Sequence, residues 1–213
     1  MLAVSPGLCA GGAHVVDDSA VEDPGTCHVE NWLSLSDGSN GLITVAPACT
    51  PKGLPSLELG GFVAHGWTRA DSATLGGLGA KLNLRGAGKG LGIALSGSLG
   101  YSVDRKRLET AGLTVPITIP AGPTLRFNID TGWQWTRQDD RSDLFVGAQT
   151  EYQISPDLGL MAETFTRTIH KAGGQIGLRW TPHQGKIDFD LIMGRYVDGV
   201  TPNAVTLGLT IRI

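Results

Sequence analysis

Val205-Thr206-Leu207-Gly208-Leu209-Thr210-Ile211-Arg212-Ile213 alternates without a break. Val205, Leu207, Leu209, Ile211 and Ile213 are aliphatic, and the residues between them are small or polar. Successive side chains of an extended strand leave opposite faces, so this period of two sorts the stretch into one apolar and one polar face. A helix, with a period of about 3.6, would mix the two sets. The stretch therefore reads as a β-strand between an apolar and a polar environment.

The same period recurs upstream. Ile187, Phe189, Leu191 and Met193 alternate with Asp188, Asp190, Ile192 and Gly194. Comparable runs cover Gln175 to Trp180, Leu144 to Ile154, Leu125 to Trp135, Leu91 to Val103 and Leu78 to Arg85. Segments 28–36, 41–49 and 157–168 are less regular, and 55–67 and 111–120 are plausible strands. Together they predict about twelve strands, an even number as closed outer-membrane barrels of a single chain require. Turn residues separate them. Pro51-Lys52-Gly53, Gly86-Ala87-Gly88, Pro120-Ala121-Gly122-Pro123, Ser155-Pro156-Asp157 and Pro182-His183-Gln184-Gly185 fall after every second strand. Thr68 to Ser72, Asp104 to Thr110, Arg137 to Asp143, Ile169 to Gly173 and Val197 to Asn203 fall on the other side, and read as longer, more charged loops.

Composition suits a water-soluble β domain or a membrane β-barrel. Charged residues make up 17% of the 213 residues and glycine contributes 31, against roughly 25% charged in ordinary soluble domains. No run of about 18 apolar residues occurs, which excludes a transmembrane helix but not a barrel. A net charge of −3 without a basic stripe gives no indication of nucleic acid.

Residues 1–13 are small and apolar and read as the remnant of an export signal or as an irregular arm. The surroundings of Cys9 match a lipid-attachment site poorly. Residues 14–26 carry Asp17, Asp18, Glu22 and Asp23 and read as a solvated, acidic periplasmic lead-in. His14 with Asp17 and Asp18 shows no recognised metal-ligand geometry. Cys27 and Cys49 flank a hairpin centred on Asp37 to Gly41 at similar distances, so the hairpin would bring them together. An exported protein would oxidise such a pair; two independent buried thiols are the rival reading. Cys-x-x-Cys and His-x-x-x-His spacings are absent, and no metal or cofactor is expected.

Alternation alone also fits a soluble antiparallel sheet. The polar face argues otherwise: it is Gly, Ser, Thr, Asn and Gln with scattered charges and little Lys, like the lining of a water-filled lumen. Aromatic placement points the same way. Trp67, Tyr101, Trp133, Trp135 and Tyr196 fall near the loop-side strand ends, and Tyr152 and Trp180 near the turn-side ends. Two such girdles suit the lipid–water boundaries, where an apolar ring with a polar tip is stable.

These features resemble Gram-negative outer-membrane β-barrels, of the small porin or transporter-like kind. Thr206-x-Gly208-x-x-Ile211-x-Ile213 is similar to the C-terminal signal read by the barrel assembly machinery, although bacterial members usually end in Phe or Trp rather than Ile. Cys27-His28-Val29-Glu30-Asn31-Trp32, Pro47-Ala48-Cys49 and Leu57-Glu58-Leu59-Gly60 look like the start of certain small transporter-like barrels of proteobacteria. The resemblance covers residues 27–213, and implies membrane lipid and the assembly machinery as partners and both termini in the periplasm of the bacterial outer membrane.

Catalytic constellations of barrel enzymes are missing. His65 lies on the apolar face near Trp67 with no Ser beside it at strand spacing. Asp139, Asp140, Asp143 and His170 sit on outer loops without a protease motif, and His28 and His183 read as turn or rim residues. No catalytic residue is assigned. The lumen is more informative. Lys81, Arg85, Arg126, Arg167, Arg179 and Arg212 are expected inward, opposed by Glu30, Glu58, Asp130, Glu151, Glu163, Asp188 and Asp190. These charges either face each other across a narrow bore and select small polar solutes, or pair off and seal it. Met161, Phe145 and Phe165 are further inward candidates. The sequence thus favours one antiparallel, up-and-down transmembrane barrel over 27–213, passing small hydrophilic solutes by passive diffusion. A sealed structural or partner-binding barrel and a barrel-embedded hydrolase are the alternatives.

Overall fold

A strand needs hydrogen-bond partners along both edges. In the computed structural model, which describes residues 13–137, 141–168, 170–182 and 185–213, the sheet meets this need by closing on itself. The strands are β1 (Cys27–Ser36), β2 (Asn40–Cys49), β3 (Leu57–Trp67), β4 (Ser72–Arg85), β5 (Gly92–Ser102), β6 (Arg107–Pro120), β7 (Leu125–Thr136), β8 (Arg141–Ser155), β9 (Leu158–Arg167), β10 (Gly173–Trp180), β11 (Ile187–Arg195) and β12 (Ala204–Arg212). Each pairs antiparallel with its chain neighbours, and β1 pairs with β12 from His28 opposite Arg212 to Ser36 opposite Ala204. The result is a closed, up-and-down, twelve-stranded barrel, as the sequence periodicity indicates.

The even strand number returns the chain to the rim where it began. Cys27 N–H donates to the Ile213 carbonyl at 2.9 Å, and Ile213 N–H to the Cys27 carbonyl at 2.8 Å. We call this the terminal rim and the opposite one the far rim. The strand ends joined through 50–56, 86–91, 121–124 and 156–157, and those of β10 and β11, lie at the terminal rim; those joined through 37–39, 68–71, 103–106 and 196–203, and the facing ends of β7, β8, β9 and β10, lie at the far rim. The expected length difference between the two sets is not found. Charged stretches that read as far-rim loops continue the ladder instead: β6 starts at Arg107 and β8 at Arg141, with Thr110 opposite Thr136 and Gln134 opposite Asp143. Polarity at a strand end marks exposure to water, and strands extend past the apolar belt into it.

The two faces are inverted relative to a water-soluble barrel. Leu78 is 73% exposed and Leu144 66%, whereas Asn128 is fully buried and Asp130 2% exposed. Aliphatic side chains thus ring the outside with no cover from the chain, and polar side chains fill the inside. Lipid tails are the surroundings that accept the first arrangement. Inside, one wall patch is apolar, where Phe62, Ala64 and Leu75 pack with Leu42 and Ala46.

Cys27 and Cys49 are a directly opposed pair of the β1–β2 ladder at the terminal rim and form the expected disulfide. The acidic lead-in differs from its reading as a solvated segment. Its residues 13–22 lie inside the barrel, where Val16 and Ser19 are buried. Its carboxylates find cationic partners on the inner wall, described below, and that exchange offsets the loss of hydration. Residues 1–12, with Cys9, and the turn residues Asp139, Asp140 and His183 lie outside the described residues.

Candidate functional site

The inner wall is organised by register. Thr118 of β6 is opposite Asn128 of β7, Asn128 opposite Gln149 of β8, Gln149 opposite Glu163 of β9, and Glu163 opposite Gln175 of β10. Hydrogen bonds run along this row. Thr118 Oγ1 donates to Asn128 Oδ1 (2.9 Å), Asn128 Nδ2 to Gln149 Oε1 (2.6 Å), Gln149 Nε2 to Glu163 Oε1 (2.6 Å) and Gln175 Nε2 to Glu163 Oε2 (2.9 Å). Amide side chains both donate and accept, so they can pass a polar row across several strands without leaving a buried group unpaired.

The wall charges pair mainly with neighbouring strands, not across the bore. Arg179 of β10 grips Asp190 of β11 through two bonds of 2.8 and 3.0 Å. Arg126 of β7 meets Glu151 of β8 at 2.7 Å, and Arg212 of β12 meets Asp188 of β11 at 2.8 Å. Asp190 leans over Gly208, where a Cβ would stand 3.0 Å from the Asp190 Cβ.

The arm supplies the remaining partners, and its residues meet the wall in order around the barrel. At the terminal rim the Glu22 carboxylate pairs with Arg212 (2.7 Å), and its backbone N–H donates to Glu58 of β3 (3.1 Å). Ser19 N–H donates to Thr118 Oγ1 (2.8 Å), and the Ser19 carbonyl accepts from Asn83 Nδ2 of β4 (2.5 Å). Asp18 lies 3.4 Å from Arg126 and 3.6 Å from Lys81, and Asp17 meets Lys81 at 2.9 Å. Asp17 N–H donates to Asp130 of β7 (2.9 Å). Val16 packs onto Gly147 of β8, where a Cβ would come within 2.6 Å of its methyl group. Glu163 accepts from Val15 N–H (3.0 Å), from Val16 N–H (3.4 Å) and from His14 Nδ1 (2.5 Å). The arm thus crosses the bore from the terminal rim to mid-wall.

Two arm groups have displaced proton affinities. Burial alone would lower the pKa of His14, but the Glu163 carboxylate, with Asp190 on the other side of the ring, overrides it and raises the value to about 9. Burial would raise that of Asp18, but Lys81 and Arg126 hold it below the ordinary carboxylate range. Both arm groups are therefore charged at neutral pH.

Between arm and wall remains a cavity of about 310 Å³, bordered by Glu22, His28, Glu58, Lys81, Arg126 and Arg212 among others. Towards the far rim Phe145, Phe165 and Arg167 are buried inside the barrel. The Arg167 guanidinium lies 5.3 Å from the Phe145 ring centre and 5.8 Å from that of Phe165, and donates to Gln134 Oε1 and the Val197 carbonyl, each at 3.3 Å.

Of the charges expected inward, Glu58, Lys81, Arg126, Asp130, Glu151, Arg167, Arg179, Asp188, Asp190 and Arg212 are buried or half-buried on the inner wall. Arg85 is not part of this cluster: the β4–β5 register shifts between Asn83 and Arg85, which resets the alternation, and Arg85 is exposed at the strand end. His28 is near the rim, as expected, but turned inward, 3.6 Å from Glu22 and 3.8 Å from Glu30. On the outside, Tyr101, Trp133, Tyr152 and Trp180 are exposed, Trp67 covers Gly41, and Trp135 lies beneath Arg137 at 5.3 Å. Tyr196 sits in the connection after β11, its ring 4.5 Å from Lys171 Nζ. His65 stacks on Trp67 on the outer face and bonds Thr74. In the terminal motif Thr206 faces inward, and Ile211 and Ile213 are exposed. Sequence reasoning missed the arm as an occupant of the bore. It also missed Trp32, which borders the cavity and shares the parity of His28 and Glu30.

The backbone architecture is shared with solved barrels at low sequence identity. A KdgM porin superposes with a TM-score of 0.67 at 9% identity, covering 86% of this chain and 98% of its own. A NanC porin gives 0.63 at 10%, covering 87% and 98%. The COG4313 outer membrane channel from Pseudomonas putida F1 gives 0.62 at 11%, covering 91% and 97%. No curated protein sequence matches the chain. One family matches it over residues 1–213, and this twelve-stranded barrel with an occupied lumen therefore belongs to the family described as "Uncharacterised conserved protein UCP029691".

Proposed function

We propose that the protein is a bacterial outer-membrane channel for passive passage of small hydrophilic solutes, which rests with its own arm in the bore. The observation that carries this is the polar, charged inner wall with a cavity of about 310 Å³ beside the arm, inside a barrel whose outer face suits lipid. The three superposed structures are a pair of porins and an outer membrane channel by name, which agrees with the reading. The terminal rim, where β1 begins and β12 ends, faces the periplasm, membrane lipid surrounds the apolar belt, and the assembly machinery reads the last strand. Selectivity comes from Lys81, Arg126, Arg179 and Arg212 against Glu58, Asp130, Glu151, Asp188 and Asp190, which replace part of a solute's hydration. No catalytic step is assigned to this wall.

Single-channel conductance in a planar bilayer tests the proposal. The full chain is expected to give small or infrequent steps, because the arm crosses the bore. Replacing Asp17 and Asp18 by Asn and Glu22 by Gln removes the arm's anionic contacts to Lys81, Arg126 and Arg212, and is expected to raise conductance or open time. Silence from both proteins, with insertion verified by heat-modifiable gel mobility, would favour the second reading. That reading is a sealed structural barrel, and the arm's close fit is the observation in its favour.

A further inference from the structure

The bonds that hold the arm have a pattern that simple charge pairing does not require. Wall carboxylates receive backbone N–H groups: Glu163 from Val15 and Val16, Asp130 from Asp17, and Glu58 from Glu22. A wall amide, Asn83, donates to a backbone carbonyl, that of Ser19. Wall cations receive side-chain carboxylates: Lys81 from Asp17, and Arg126 and Arg212 from Asp18 and Glu22. A lumen selected only for anions would not place Glu58, Asp130 and Glu163 beside its cations, since each buried carboxylate is costly without donors. A peptide backbone supplies such donors, here from Val15, Val16, Asp17 and Glu22, and its acidic side chains meet the cations.

We infer that the lumen is a recognition track for short acidic peptides, and that the arm is its tethered occupant. This rests on the channel reading for its transport meaning: such peptides are the solute class. A tethered occupant competes at an effective concentration on the order of millimolar, so a free peptide binds only when the arm is loosened or the peptide is abundant.

The test uses the full chain carrying Asp17→Asn, Asp18→Asn and Glu22→Gln beside the unaltered protein, both refolded in detergent and checked for heat-modifiable mobility. The probe is a fluorescent synthetic peptide with the sequence of residues 13–23, read by anisotropy and by block of single-channel current. Binding to the variant is expected to be about tenfold tighter than to the unaltered protein. A probe with its acidic residues amidated, and one N-methylated at the positions of Val15, Asp17 and Glu22, are each expected to bind about tenfold more weakly. Succinate in large excess is expected not to displace the probe. Equal binding of the N-methylated probe, or displacement by succinate, would reduce the lumen to an anion site and overturn the inference. A variant that conducts but ignores the peptide overturns the inference and leaves the channel; one that binds peptide but never conducts overturns the channel and leaves the track. If the triple variant does not fold, Asp18→Asn alone serves, with the same probes and the same deciding comparison.

Discussion

At the scale of single residues, His14 joins the arm to the wall through a proton. Its imidazole lies between Glu163 on β9 and Asp190 on β11, with Arg179 on β10 opposing the charge. Bound, its pKa is about 9, against 6.5 for a free imidazole. The docked state therefore holds the proton more tightly, and this stabilisation is complete below about pH 6.5 and lost as the pH rises through 9. Open time in single-channel records is expected to rise between neutral pH and pH values above 9, and His14→Ala is expected to flatten that profile. A profile unchanged by the substitution would remove His14 from the account. Little of this was legible beforehand. His14 and its acidic neighbours read as a hydrated segment because their counter-charges are distant in the chain, the nearest being Lys81, and only the closed wall brings them together.

At the scale of elements, the period of two carried most of the fold. All twelve strands fall on stretches where the alternation or the bounding turns placed them, because a barrel between lipid and polar interior sorts side chains by parity alone. Face assignment can be checked on one strand. Leu207 is 54% exposed on β12, whereas its neighbour Thr206 faces the lumen and bonds Ser34 at 2.7 Å. Leu207→Arg is expected to cost about 2–4 kcal/mol if it lies near mid-bilayer, and Thr206→Arg much less. Equal shifts in the urea midpoint of the refolded proteins would contradict the assignment. Strand ends were less legible. Arg107, Glu109 and Asp143 read as loop residues because charge marks contact with water, and water also bathes strands beyond the lipid. The row from Thr118 to Gln175 could not be seen without the register, which depends on turn geometry at four connections in succession.

At the scale of the whole molecule, closure joins residues at opposite ends of the chain. The Cys27–Cys49 bond spans 22 positions and ties β2 to β1, the strand that must find β12. By loop entropy alone, losing such a link costs about 3 kcal/mol. Cys27→Ala with Cys49→Ala is expected to lower the denaturant midpoint and leave the folded barrel closed, since the rest of the β1–β2 ladder remains. Loss of heat-modifiable mobility would show instead that the link is needed for closure. The arm adds a different coupling. It touches β1, β3 and β4, then β6 to β12. An open or partly curled sheet cannot offer those partners together. The arm's binding energy therefore counts only towards the finished cylinder, and by mass action it acts as a built-in ligand for assembly. Closing the seam between first and last strands and seating the arm are thus two halves of one transition, each stabilising the other.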